Sequence, residues 1–342
     1  MDWFERLTGF READYASTLR RLSIAAGCLV SDASTARFGV GRFEMVSLRE
    51  LRQRGSALPD AEVVRLSNVV GDVRALHRER ELAGALFQVA SQFNMLEMAD
   101  PELTPEDGVT RYARDRTQGP ACALAAGAAT IFRNYLVPVG DSVGQTAHRQ
   151  LDGLAEIGAA LSQALGRPVT ELWRMQNGYA LCTEAGATRI GEHLNRAEET
   201  ARDALRAELR IGVQWDAEVT EVEAAPRPTV TQAFCSAMPV GYSEVSPATW
   251  APFAQLILEA AYEATLLVGR LNAARGASNV VLLTRLGGGV FENRAEWINT
   301  AIERALALHP RCGLDVRLVS YGRLDESNRE VETRWREATS GS

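Results

Sequence analysis

Three consecutive glycines, Gly287-Gly288-Gly289, stand between an apolar run, Asn279 to Leu286 (NVVLLTRL), and a stretch of helical spacing, Arg294 to Leu308. A buried strand feeding such a triplet can bring backbone N–H groups close to a ligand, because glycine has no Cβ to hold it away. Successive N–H groups, with the positive end of a following helix, suit a phosphate or diphosphate. Val290 continues the turn, and Phe291 could pack against a sugar or base. The same triplet also reads as a tight turn that needs glycine only for its geometry. The spacing is not the GxGxxG dinucleotide fingerprint and no early strand–helix–strand unit carries one, which disfavours a Rossmann dehydrogenase.

Two further places could do chemistry. Leu82 to Ala90 (LAGALFQVA) is a short, nearly continuous apolar run, as for a strand buried on both faces, and it exits into Ser91-Gln92-Phe93-Asn94. An Asn at a strand's carboxyl end can hold a ribose hydroxyl through donor and acceptor, or can simply cap the following turn. A long polar loop, Glu97 to Gly119, follows, and Asp115-Arg116-Thr117-Gln118-Gly119-Pro120 opens a helix of small residues. Proline is favoured at a helix start, where its missing N–H goes unneeded. That start offers a second anion site, with Thr117, Gln118 and Gly119 beside it, or ordinary capping. Carboxylates in the loop, Glu97, Glu106, Asp107 and Asp115, are candidate general bases or solvated charges.

Other chemistries find little support. The 4 histidines show no HxH or HExxH spacing, and the 5 cysteines never form CxxC, so metal sites and disulfide frameworks are not expected. Ser236 lies outside any GxSxG elbow. A net charge of −7 argues against non-specific coating of nucleic acid. The first residues, MDWFERLTGFREADYAS, carry acids and no long apolar run, unlike a signal peptide. No uninterrupted apolar stretch approaches the ~20 residues of a membrane span. A cytoplasmic protein without a bound cofactor is the expectation.

The elements that must position these residues alternate. Residues 1 to 60 form an arginine-rich lead-in, with a helix over Asp14 to Ala26 and a strand over Phe43 to Leu48. Strands are predicted at Val63 to Val70, Leu82 to Ala90, Ile211 to Val222, Thr229 to Ala237, Asn279 to Leu286 and Leu314 to Tyr321. Helices are predicted from Pro120, over residues 146 to 167 and 190 to 210, over Trp250 to Ala274, and over Arg294 to Leu308. Such alternation predicts an α/β fold with helices on both faces of a mixed, mostly parallel sheet, and ligands there sit outside the carboxyl ends of the strands.

With these residues in view, the chain resembles a divergent macrodomain, of the wider group that includes the poly(ADP-ribose) glycohydrolases. Asn68-Val69-Val70-Gly71-Asp72-Val73 resembles the Gly-Asp-Ile turn whose acid reads the adenine amino group. LFQVASQFN resembles the strand ending in the ribose-binding Asn, TQAFCSAMPVGYS a mid-domain strand, and LLTRLGGGVFEN the phosphate loop. The resemblance spans about Glu62 to Tyr321, with an insertion near residues 140 to 215. It implies a three-layer α/β/α domain over residues 61–330, behind an N-terminal extension, that takes ADP-ribose or an ADP-ribosylated substrate. Asp72 and Val73 would hold adenine, Gly287 to Phe291 the diphosphate and ribose, and Asn94 the distal ribose. The first glycine-rich loop of macrodomains is missing after Asn94, and the Gln-Glu-Glu of the glycohydrolases is replaced by Gln118-Gly119-Pro120. If the pocket hydrolyses an ADP-ribosyl bond, Glu97 and then Asp115 are the candidate bases. The rivals are a non-catalytic ADP-ribose or nucleotide reader, an enzyme on another phosphorylated small molecule, and a scaffold with purely structural glycines.

Overall fold

The computed structural model describes residues 1–340. Seven strands form the central sheet: β1 (Arg42–Ser47), β2 (Arg65–Val70), β3 (Leu86–Ala90), β4 (Arg210–Glu218), β5 (Thr229–Cys235), β6 (Val280–Leu283) and β7 (Asp315–Ser320). Their spatial order is β1-β4-β5-β3-β6-β7-β2. The β1–β4 and β4–β5 pairs are antiparallel, and the rest are parallel. The sheet is therefore mixed and mostly parallel, as the alternation of elements predicts.

The central strands are apolar on both sides because both sides are covered. Leu86, Ala233, Val281 and Leu283 enter one core, with the helices α2 (Pro247–Ala274), α3 (Ala295–Leu308) and α4 (Glu326–Ser340). Phe87, Val89, Val230, Phe234, Val280 and Leu282 enter the opposite core, with Val73, Leu76 and Cys122 of the short helix Val73–Leu76 and of α1 (Gln118–Ala125). This period-two division makes three layers. Helix α2 is long and apolar enough, by length and composition, to cross a membrane, although Gln255, Glu259 and Glu263 interrupt its apolar residues. Its apolar surface is spent on the sheet and the neighbouring helices, with Trp250, Phe253, Ile257 and Leu258 all buried.

Several boundaries differ from expectation. The lead-in is not set apart from the domain: β1 is an edge strand of the main sheet. Asp14 to Ala26 is helical only over Tyr15–Arg20. Leu22–Ala25 is a strand instead, turned back onto Cys28–Ser31 by Ala26 and Gly27, both at positive φ (52° and 74°) as a tight hairpin demands. β4, which lies partly within the expected insertion, belongs to the sheet. The helix expected over 146–167 begins only at Ala155, and that over 190–210 divides into Glu184–Arg196 and Glu199–Arg206. The insertion also contains a hairpin that sequence periodicity did not reveal, Trp173–Gln176 with Tyr179–Cys182.

His77 ties the two layers beside β3. Its ring stacks on Phe87 at 3.7 Å between centroids, Nδ1–H donates to the Val73 carbonyl (2.7 Å), and Nε2 accepts from Gln232 (3.2 Å). Burial holds this imidazole down to about 4. A His kept neutral in the folded state stabilises fully above the unfolded value near 6.5, and that contribution is lost as pH falls toward 4. The change is roughly 3 kcal/mol. In denaturant titrations between pH 6.5 and 4, His77→Phe is expected to lose stability less steeply than the parent; equal slopes would refute the assignment.

Candidate functional site

The cleft forms where two parallel strands part. β3 and β6 pair only through Leu86↔Val281 and Phe87↔Leu282, although β3 runs on to Ala90. The backbone groups left open by the parting are taken by side chains. Gln118 Nε2 donates to the Gln88 carbonyl and Gln118 Oε1 accepts from Ala90 N–H, both at 2.8 Å. These are the two bonds a further parallel residue opposite Val89 would make. On the β6 side, Thr284 N–H donates to Gln88 Oε1 (3.2 Å), while Tyr262 donates to the Thr284 carbonyl (2.7 Å) and accepts from Leu286 N–H (2.9 Å). The opening is thus held by these side-chain bonds, and it gives a cleft of about 200 Å³ at the carboxyl ends of β3, β5 and β6.

One wall is the loop after β3, which carries Glu97. Gln92 closes this loop on itself: its Nε2 donates to the Met98 carbonyl (2.9 Å) and its Oε1 accepts from Met98 N–H (2.6 Å). Asn94 does a similar task further in. Its Oδ1 accepts from Leu96 N–H (3.1 Å) and its Nδ2 donates to Gln150 (2.8 Å). Asn94 is fully buried and is not among the lining residues. It is therefore the cap of its own turn rather than a free ribose ligand, because both ends of its carboxamide are already used.

Glu97 lines the cleft with its side chain shut away from bulk solvent. Arg133, equally buried, donates to Glu97 Oε1 (3.3 Å) and to the Met95 carbonyl (3.1 Å), and its guanidinium lies 3.8 Å from the Phe234 ring centre. Glu97 Oε2 has no partner among the described residues. Burial pushes this carboxyl up to about 7, against the pull of Arg133. A buried carboxylate with one oxygen anchored and one unpaired on a cleft wall is arranged to exchange a proton near neutrality.

The opposite wall is the glycine turn. Gly287 sits at φ +70°, where an added Cβ would lie 2.6 Å from Ala237 Cβ and 2.5 Å from Asn293 Nδ2. Gly288 faces away: its N–H donates to the Arg285 carbonyl (3.1 Å) and it does not line the cleft. Asn293 closes the turn by donating to the Met238 carbonyl (2.8 Å). The N–H groups of Gly287, Gly289, Val290 and Phe291 have no protein partner among the described residues, so they are free to donate to a ligand. The next helix, α3, starts at Ala295 with Arg294 as its cap, so Glu292 and Asn293 lie between it and the turn. Phe291 is buried and packs against Tyr179 (5.4 Å) and Tyr242 (5.7 Å). Tyr179, from the hairpin of the insertion, closes that end of the cleft and donates to the Met98 carbonyl (2.6 Å).

Between the walls, α1 begins at Gln118 rather than Pro120. Gly119 is there because a Cβ would stand 2.1 Å from the Ala90 carbonyl oxygen. Gln118 lines the cleft, but its carboxamide is committed to β3. Asp115 and Thr117 line the mouth, with Asp115 Oδ1 accepting from Thr117 N–H (2.8 Å).

Asp72 and Val73 do not line this cleft. They belong to a second depression of about 610 Å³ further along the strand ends only by neighbourhood: it is lined by Thr284, Arg285, Ser320 and the exposed Tyr321, and Ser320 is paired with Val70 just before Asp72. Asp72 caps the short helix Val73–Leu76 through Arg74 N–H (2.8 Å). Thr284 and Arg285 line both depressions, so the two are adjacent. Among the described residues no cluster of His, Cys, Asp and Glu is arranged to hold a metal.

Sequence reading missed Arg133, Tyr179, Asn293 and Arg285. Arg285 and Asn293, both inside the glycine motif, carried a local signal. Replacing Gln118 by Leu keeps the side chain's size but orphans Ala90 N–H and the Gln88 carbonyl. A loss of roughly 2–4 kcal/mol is expected in chemical denaturation; an unchanged midpoint would show that the carboxamide does not hold the parted strand.

No family model matches the chain, and no curated protein matches it. Solved structures of similar architecture exist. A mutant of the poly(ADP-ribose) glycohydrolase of Deinococcus radiodurans, in complex with ADP-ribose, is 13% identical over 86% of this chain and 94% of its own, with a TM-score of 0.47. The poly(ADP-ribose) glycohydrolase of Thermomonospora curvata is 12% identical over 94% of this chain and 96% of its own, with a TM-score of 0.46. The same enzyme bound to the inhibitor ADP-HPD gives 12% and 0.45 over the same spans.

Proposed function

We propose that this chain binds ADP-ribose, or a related NAD-derived nucleotide, across the carboxyl ends of β3, β6 and β7, and that it hydrolyses an ADP-ribosyl bond. The observation that carries the reading is Glu97: a buried carboxylate, anchored on one oxygen by Arg133 and unpaired on the other, on a cleft wall that faces a row of unpaired amides. The order of the sequence motifs, from Gly71-Asp72-Val73 through the β3 exit to the glycine turn, supports the choice of ligand.

In this reading the free amides of Gly287, Gly289, Val290 and Phe291 hold the diphosphate. The base lies in the larger depression, with the Tyr321 ring as its platform and Asp72 at the neighbouring strand end as the acceptor for an amino group. The distal ribose enters the cleft beside Glu97. Glu97 takes a proton from water as the water oxygen bonds to the anomeric carbon. The bond from that carbon to its acceptor breaks, and the leaving group recovers a proton from solvent. Asp115 at the mouth, already capping Thr117, is left a secondary role in orienting the leaving group. Gln118 and Asn94 act by holding backbone, not by touching substrate.

A general base must be ionised to act. With the Glu97 carboxyl near 7, kcat/KM is expected to rise about tenfold per pH unit below that value and to level off above it. Glu97→Gln is expected to lower turnover of an ADP-ribosylated substrate by at least about 10²-fold, with ADP-ribose affinity kept within a few-fold. Retained turnover in Glu97→Gln would remove Glu97 from the mechanism. Binding of ADP-ribose without turnover by the parent protein would favour a non-catalytic reader.

A further inference from the structure

The cleft and the larger depression meet at one charged side chain. Arg285 follows β6, lines both cavities, and is the only Lys or Arg among the residues lining the cleft, whose other charged groups are Glu97 and Asp115. Its side chain is 14% exposed, which is low for a surface arginine. The guanidinium is held from the side facing the protein: one Nη donates to Asn328 Oδ1 (3.1 Å) and the other to the Ala295 carbonyl (3.3 Å). Asp325 stands off at 3.9 Å, too far for a tight pair, and its own Oδ1 accepts from Ser327 N–H. A guanidinium has five N–H donors. Two are used by the protein and Nε faces Asp325 at 3.9 Å, so three have no protein partner at hydrogen-bond distance.

We infer that Arg285 is the cation that reads the diphosphate and makes the site select a ligand bridged by two phosphates. The inference rests on the proposed ADP-ribose reading and adds to it a contact that the amides alone do not supply. A diphosphate brings two negative charges into a cleft that already holds the carboxylates of Asp115 and, when ionised, Glu97. The amides of the glycine turn offer partial charge only. One planar, pre-oriented fork at the junction supplies the missing full charge and can bond two phosphate oxygens together. Asn328 and the Ala295 carbonyl, at the starts of α4 and α3, fix its direction before the ligand arrives.

The test is calorimetric titration of the full chain with ADP-ribose at about 50 and about 200 mM salt, with melting temperature measured without ligand. Arg285→Met is expected to weaken binding roughly ten- to hundredfold and to flatten the salt dependence. Arg285→Lys keeps the charge but not the fork and should fall between. Asn328→Ala leaves the guanidinium unsteadied and should cost severalfold. If the parent binds ADP-ribose and Arg285→Met, or Arg285→Lys should the former not fold, binds within twofold of it with the same salt dependence, the inference is overturned while the ligand assignment stands. If the parent binds no ADP-ribose, the ligand assignment falls and takes the inference with it.

Discussion

Glu97 and Arg133 are both removed from water, and the site is arranged around that fact. Taking two opposite charges into a protein interior costs several kcal/mol per ion, which their attraction offsets only where geometry and further hydrogen bonds are good. Here they are incomplete on both sides. Arg133 has the Met95 carbonyl, Thr130 and the face of Phe234 as well as Glu97, but its Nη1 and Glu97 Oε2 have no partner among the described residues. A pair built for stability alone would satisfy both oxygens. Burial with one oxygen unpaired raises the proton affinity of the carboxyl.

The rest of the domain keeps this pair in place while holding the sheet open next to it. Parting β3 from β6 would strand backbone groups in a dry interior, where each costs more than a hydrogen bond returns elsewhere. The chain meets that cost with three side chains from distant segments: Gln118, Gln88 and Tyr262. The lead-in contributes as well. Glu12 accepts from the N–H groups of Val109 and Thr110 and from the Tyr135 hydroxyl (2.7–2.8 Å), which ties down the long loop between Glu97 and α1. From the insertion, Gln145 donates to the Asn94 and Arg133 carbonyls (3.0 and 3.1 Å), and Gln150 receives Asn94. Both segments, unexplained by sequence motifs, are the outer supports of the Glu97 wall.

What could be read from sequence was what local chemistry determines. The strand LFQVA is apolar on every residue but Gln88 because both its faces are buried, and NVVLL reads the same way, so both were legible. So was the glycine turn, because its geometry excludes other residues. Glu97 could be singled out only as one carboxylate among six in its loop, since the group that sets it apart, Arg133, lies more than thirty residues on, in the helical stretch Phe132–Leu136, and signals nothing by spacing. Asn94 illustrates the opposite case: a residue that the motif suggests for the ligand is spent on its own turn once Gln150 arrives from the insertion. The hairpin carrying Tyr179 has strands too short for periodicity to show, and β1 was read as part of a separate lead-in because its antiparallel partner lies more than a hundred residues further on.

The position of the distal ribose decides whether Glu97 can act, and a crystal structure of the full chain with ADP-ribose would show it directly. The diphosphate is expected on the Gly287, Gly289, Val290 and Phe291 amides, with the anomeric carbon within reach of a water held by Glu97 Oε2. Density with the ligand elsewhere, or with its anomeric carbon turned away from Glu97 and toward another carboxylate, would contradict it.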